Sequence, residues 1–210
     1  MSRLRIGVLA VQGAFREHRR ALERCGAEVE ELRRPLDFGD DVFKGLQCFD
    51  GIVLPGGEST AMGVLLRAEG LLDALAACGR AGMPLYGSCA GLILLCREIE
   101  GADGKLVEQP RLGLLDARVR RNAFGRQVDS FETFLNVTDI AQDLRAVFIR
   151  APLIVHTGPD VEILAEVERE ETAFPVAVRQ GHLLASSFHP ELTPDLRFHQ
   201  AFLDICRNRR

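Results

Sequence analysis

The segment Gly87-Ser88-Cys89-Ala90-Gly91 carries the first candidate chemistry in this chain. It has the form Gly-x-nucleophile-x-Gly at a strand-to-helix junction, with a thiol where hydrolases of that form place serine. A sharp turn that holds its central residue at positive φ needs neighbours two residues away that lack a Cβ, so that the chain can fold back closely. At the first turn of a helix the thiol also meets the positive end of the macrodipole, which favours the attacking thiolate. Taken alone, the same five residues also describe a small buried cysteine packed among glycines. Other residues must decide.

A thiolate that attacks an amide needs a base. His189 ends an apolar run, and Glu191 follows two residues on. In an extended His189-Pro190-Glu191 segment both side chains project to one side, where the carboxylate can fix the tautomer and orientation of the imidazole. An oxyanion needs two N–H donors, and the natural pair is the Ala90 amide with one from Pro55-Gly56-Gly57. Cys25, Cys78, Cys96 and Cys206 fall on apolar faces or ends of predicted helices and Cys48 near a loop, which suits structural roles. His18, His156, His182 and His199 make no His-x-x-x-His or His-Glu-x-x-His pattern, and no phosphate-loop pattern is present. No metal and no cofactor are expected.

These residues must be positioned by alternating strands and helices. The run from Leu4 to Val11 reads as a strand, followed by a helix with Phe15, His18, Leu22 and Cys25 on one stripe and Gly26 as its stop. Ala27 to Leu32 reads as a second strand and Asp50 to Leu54 as a third, which enters the Pro55–Thr60 loop with Ser59 or Thr60 as helix cap. Leu71 to Ala81 predicts a helix closed by Gly82. Met83 to Gly87 predicts a fourth strand, with a helix from the cysteine segment to about Ile99. Beyond Leu112 the texture changes to short strands at Leu114–Val119, Val128–Leu135 and Val147–Ile149, read as antiparallel additions to the same sheet. Leu183 to Phe188 is the last strand, and a helix spans roughly Pro194 to Cys206. The expected fold is α/β, three-layered, with a mostly parallel central sheet, helices on both faces and antiparallel additions in the C-terminal half. Ligands bind such sheets outside the carboxyl ends of the strands, at loops 55–60 and 87–91.

The 210 residues fit one domain, 1–210, and 47% apolar with 27% charged residues argues against a disordered or fibrous chain. A net charge of −4, with one Tyr and no Trp, gives no footprint for nucleic acid. No apolar run approaches the roughly 20 residues that span a bilayer. The N-terminus lacks a signal-peptide pattern, so the cytoplasm and free thiols are expected.

Pro-Gly-Gly-Glu-Ser at 55–59, Gly-Ser-Cys-Ala-Gly at 87–91 and Phe-His-Pro-Glu at 188–191 together resemble a class I, triad-type glutamine amidotransferase. Leu9-Ala10-Val11-Gln12-Gly13-Ala14 with Glu17-His18, the run from Arg121 to Phe131 and Phe148-Ile149-Arg150-Ala151-Pro152 narrow the resemblance to the glutaminase subunits of pyridoxal 5′-phosphate synthase. The resemblance implies hydrolysis of L-glutamine, with ammonia passed to a separate synthase (lyase) subunit in a larger hetero-oligomer. It implies Cys89 as nucleophile, His189 as base and acid, Glu191 as its orienting partner, and the Gly57 and Ala90 amides as oxyanion hole. It places Gly57, Glu58, Ser59, Arg121, Ile149 and Arg150 against glutamine. It further implies that the isolated subunit is weakly active until docking turns an amide of the Gly56–Gly57 loop inward. Asp37–Phe49 and Gly101–Arg111 are longer than the family pattern, and neither overlaps a motif. A glutaminase serving another synthase and an inactive binding module of the same fold are the alternatives. The Arg121–Phe131 run argues against the first, and the intact Cys89, His189 and Glu191 argue against the second.

Overall fold

The computed structural model describes residues 3–34, 42–121, 130–169 and 172–209. The first half runs β1 (Arg5–Leu9), α1 (Phe15–Arg24), β2 (Glu28–Leu32), α2 (Val42–Leu46), β3 (Gly51–Leu54), α3 (Ser59–Ala68), α4 (Leu71–Arg80), β4 (Leu85–Ser88) and α5 (Ala90–Leu95). There follow β5 (Cys96–Glu100), β6 (Leu115–Arg120), β7 (Ser130–Val137), β8 (Ala141–Ile149), β9 (Leu153–Thr157), β10 (Glu162–Arg169), β11 (Thr172–Gln180) and β12 (Leu183–Ser186). A 3-10 turn at Pro190–Leu192 and α6 (Arg197–Arg209) close the described chain.

The central sheet has the order β10-β11-β12-β4-β3-β1-β2, parallel from β12 to β2 and antiparallel where β11 joins β10 and β12. Strands buried on both faces read as continuous apolar runs, and their period of two divides them between two cores. Ile6, Val8, Val53, Tyr86 and Leu184 pack with Leu22 of α1 and with Phe198 and Phe202 of α6. Leu9, Ile52, Leu54, Leu85 and Ala185 pack on the other face with Leu66, Leu72, Leu75 and Leu92. The expected three layers are present. Gly26 and Gly82 take φ of 88° and 86° just past α1 and α4, the left-handed stop that the sequence predicts.

Several local expectations are corrected. Neither Ser59 nor Thr60 caps α3. Glu58 does, because its extended backbone lets the carboxylate accept from the amides of Thr60 and Ala61 at 3.0 and 2.7 Å. The helix after Cys89 does not reach Ile99 but stops at Leu95. The carbonyls of Leu94 and Leu95 accept there from the amides of Leu112 and Leu114, and Cys96 turns extended to start β5. The closing helix starts at Arg197, later than Pro194.

The segments Leu114–Val119 and Val147–Ile149 are strands but not in the central sheet. The first is β6, in a separate sheet β5-β6-β9, and the second ends β8, which forms a two-stranded sheet with β7. Val128 and Asp129 lie outside the described residues, and the strand there is β7 from Ser130. The antiparallel additions to the central sheet are β10 and β11. Alternation identifies a strand and its two faces but says nothing of which edge it joins. Of the Asp37–Phe49 stretch, residues 37–41 lie outside the described residues, and the remainder contains α2. No helix among the described residues is long and apolar enough to cross a membrane.

Candidate active site

Neighbouring strands β3, β4 and β12 release the sequence-predicted segments at their carboxyl ends. Cys89 takes φ 48° and ψ −100° between β4 and α5. Such a conformation costs on the order of 1–3 kcal/mol and persists only where the surroundings enforce it. Here a Cβ on Gly87 would run into the backbone of Gly91, and one on Gly91 would run into the Leu54 carbonyl. The Cys89 amide donates to the Ser186 carbonyl at 2.8 Å, which ties the elbow to β12.

His189 follows β12, and its amide donates to the Val147 carbonyl of β8 at 2.8 Å. His189 Nδ1 lies 2.7 Å from Glu191 Oε1. The predicted pairing is present, but the predicted extended geometry is not. Pro190 begins a 3-10 turn, and that tighter path brings the carboxylate back to the imidazole. Both residues are 7% exposed. Burial alone would lower the His189 pKa, yet hydrogen bonds with Cys89 and Glu191 outweigh it and hold the imidazole at about 10. Burial likewise works against ionised Glu191, but the adjacent His18 and the hydrogen bond with His189 keep its carboxyl well below the usual carboxylate range.

The first loop is braced from the β1–α1 turn. The Gly56 carbonyl accepts from the Ala14 amide at 3.0 Å, and Gln12 Oε1 accepts from the Glu58 amide at 2.8 Å. A side chain at Gly56 would strike the His189 ring, and one at Gly57 would strike Gln12. These contacts explain the glycine pair more specifically than turn preference does.

A cavity of about 540 Å³ opens over Cys89 and His189. That is within the roughly 300–1,000 Å³ usual for small-molecule sites. Gly57, Glu58, Ser59, Arg121, Ile149 and Arg150, the residues predicted to contact substrate, all line it. Ala90, buried, opens α5 directly after Cys89. Arg121 extends from the end of β6, and its guanidinium donates to Thr60 Oγ1 at 2.8 Å, to Glu58 Oε1 at 3.2 Å and to Gln109 Oε1. Burial would raise the Glu58 carboxyl, but the amides of Ala61 and Thr60 and the charge of Arg121 together lower it. Residues 122–129 of the Arg121 motif lie outside the described residues.

Sequence reasoning missed several participants. Gln109 comes from the Gly101–Arg111 stretch and bonds Arg121, Thr60 and Ser59. That stretch therefore reaches the site although it overlaps no motif, and nothing in its local sequence signals this. His18 and His199, set aside as metal ligands, are both fully buried, with His18 directly behind Glu191. For His18 a signal existed, a polar residue on the apolar stripe of α1.

Comparison with known proteins matches residues 8–208 to the SNO glutamine amidotransferase family. The chain is 48% identical over 204 residues to a pyridoxal 5′-phosphate synthase subunit PdxT of Pelotomaculum thermopropionicum, covering 97% of this chain and 95% of that one. It is 52% identical over 210 residues to the protein of that name in Parafrankia sp. strain EAN1pec, covering 99% and 96%. A crystal structure described as a glutamine amidotransferase superposes with a TM-score of 0.83 at 46% identity, covering 96% of this chain and 98% of its own.

Proposed function

Because the chain belongs to the SNO glutamine amidotransferase family, we propose that it hydrolyses L-glutamine to L-glutamate and ammonia and hands the ammonia to a separate lyase subunit for pyridoxal 5′-phosphate synthesis. In this reading residues 1–210 act as a single glutaminase domain in the cytoplasm, a location that suits six free cysteines. The observation that carries the chemistry is the elbow cysteine beside a buried imidazole hydrogen-bonded at 2.7 Å to Glu191.

Cys89 gives its proton to His189 Nε2, and the thiolate attacks the carboxamide carbon of glutamine. The oxyanion is stabilised by the Gly57 and Ala90 amides. His189 then protonates the departing nitrogen, ammonia leaves, and a thioester remains on Cys89. Water, deprotonated by His189, attacks that thioester and releases glutamate with the thiol restored. Glu191 stays ionised throughout and holds His189 Nδ1–H, so the catalytic nitrogen always faces the thiol. Arg121 takes the substrate α-carboxylate with donors its present partners leave free, since a guanidinium has five N–H groups. Ile149 and Arg150, with Glu58 and Ser59, complete the wall.

Ammonia released into neutral water is mostly protonated and no longer nucleophilic, which supports a partner docked over the cavity. Glutamine hydrolysis measured with and without the lyase subunit tests this. Turnover is expected to rise on docking, as the Gly56–Gly57 loop completes the oxyanion hole, and equal rates would remove the gating step. Cys89→Ala is expected to abolish hydrolysis while the subunits still associate. Residual turnover near the wild-type rate would remove Cys89 as nucleophile.

A further inference from the structure

Glu191 has two carboxylate oxygens, and the chemistry above uses one. Oε2 is buried and makes no hydrogen bond, and His18 Nε2 lies 3.4 Å from it. His18 comes from α1, far from the triad in sequence, and is completely buried. Its Nε2 lies 2.9 Å from Ser88 Oγ, its Nδ1 lies 3.0 Å from His199 Nε2, and its ring stands edge-on to Tyr86.

The direction of these hydrogen bonds can be worked out from one end. The Phe188 carbonyl can only accept, so Ser186, 3.0 Å away, must donate to it. The Ser186 hydroxyl then has no proton left and accepts from Tyr86 OH at 3.1 Å. At the other end of this row Ser88 Oγ lies 2.9 Å from His18 Nε2, and an ionised carboxylate oxygen 3.4 Å from the same nitrogen favours a proton there over a bare lone pair, so His18 Nε2 donates and Ser88 Oγ accepts. The far end agrees. Burial drives the His199 pKa down to about 3, so that ring is neutral and carries one proton. His199 Nδ1 is buried without a partner. A bare lone pair there costs less than an unpaired N–H, so the proton sits on Nε2 and points to His18 Nδ1.

We infer that His18 is a positioning residue for the triad: its Nε2–H, donated to Ser88 Oγ, turns its positive edge to Glu191 Oε2 3.4 Å away and so holds the second carboxylate oxygen and thereby the orientation of His189. The His199–His18 pair, delivered by α6 and α1, is the anchor of that arrangement. Without it, Glu191 Oε2 would be a buried anionic oxygen facing nothing, and the carboxylate could turn away from His189. This inference rests on the glutaminase reading.

The test uses the full chain with the lyase subunit and two variants. His18→Leu removes the donor, whereas His18→Gln keeps an N–H group near the Nε2 position. His18→Leu is expected to lower kcat for glutamine by roughly 10- to 100-fold, as does losing the partner behind a functional histidine elsewhere, with little change in KM. His18→Gln is expected to recover most of that loss. Wild-type kcat in His18→Leu, or equal losses in both variants, would overturn the inference. Independently of how the variants fold, ¹⁵N NMR of the wild-type chain should show His18 protonated at Nε2 with a bare Nδ1, and the opposite tautomer would also overturn it. Turnover by Cys89→Ala would instead sink the underlying glutaminase reading. An inactive Cys89→Ala beside a fully active His18→Leu sinks this inference alone.

Discussion

His189 is set by opposing forces that are individually large. Burial favours the neutral ring, while the Cys89 and Glu191 hydrogen bonds favour the charged one, and the outcome is a pKa near 10. Removing the thiol removes one of the two supports, so the His189 pKa is expected to fall in Cys89→Ala, followed by NMR titration of the imidazole. An unchanged value would mean that Cys89 does not share its proton with His189. The sign for stability follows from linkage. The folded pKa lies above the unfolded value of about 6.5, so the ring's charge stabilises the fold fully below that pH and progressively less as pH rises toward 10.

At the scale of elements, Cys89 is held by contact between backbones. β4, the elbow and α5 approach so closely that Gly91 faces the Leu54 carbonyl of β3 with no room for a methyl group. Gly91→Ala is therefore expected to destabilise the chain by about 1–3 kcal/mol, as overpacking does, and to displace Cys89 from the imidazole. Urea unfolding measures the first effect and alkylation of Cys89 the second. Wild-type behaviour in both would contradict the elbow's steric origin. The sequence pattern predicted this crowding from the glycine spacing alone, because a Gly-x-x-x-Gly window around one residue is a local feature. It did not predict that α5 would end at Leu95. That helix stops where amides of Leu112 and Leu114, from a segment remote in sequence, meet its last carbonyls.

Across the whole molecule, the cavity is assembled from separate sheets. The central sheet supplies Cys89, His189 and the Glu58 loop, whereas Arg121 arrives from β6 in the three-stranded sheet, with Gln109 from the preceding loop. β8 brings Ile149 and Arg150 to the rim and holds the His189 amide. Arg121→Ala is expected to raise KM for glutamine, by the equivalent of about 1.5–3 kcal/mol for a lost charge-assisted bond, with kcat less affected. An unchanged KM would place the α-carboxylate elsewhere. By itself, the sequence determined the alternating fold, the elbow and the pairing of His189 with Glu191, because each depends on period, glycine spacing or residues close in the chain, whereas the residues expected against substrate came from the family resemblance. Only the tertiary structure decided that Gln109 braces Arg121, that Glu58 caps α3, and that His18 and His199 stand behind Glu191. These last contacts join residues distant in sequence, and no local pattern encodes which buried polar groups will meet once two helices and a strand end close on one another.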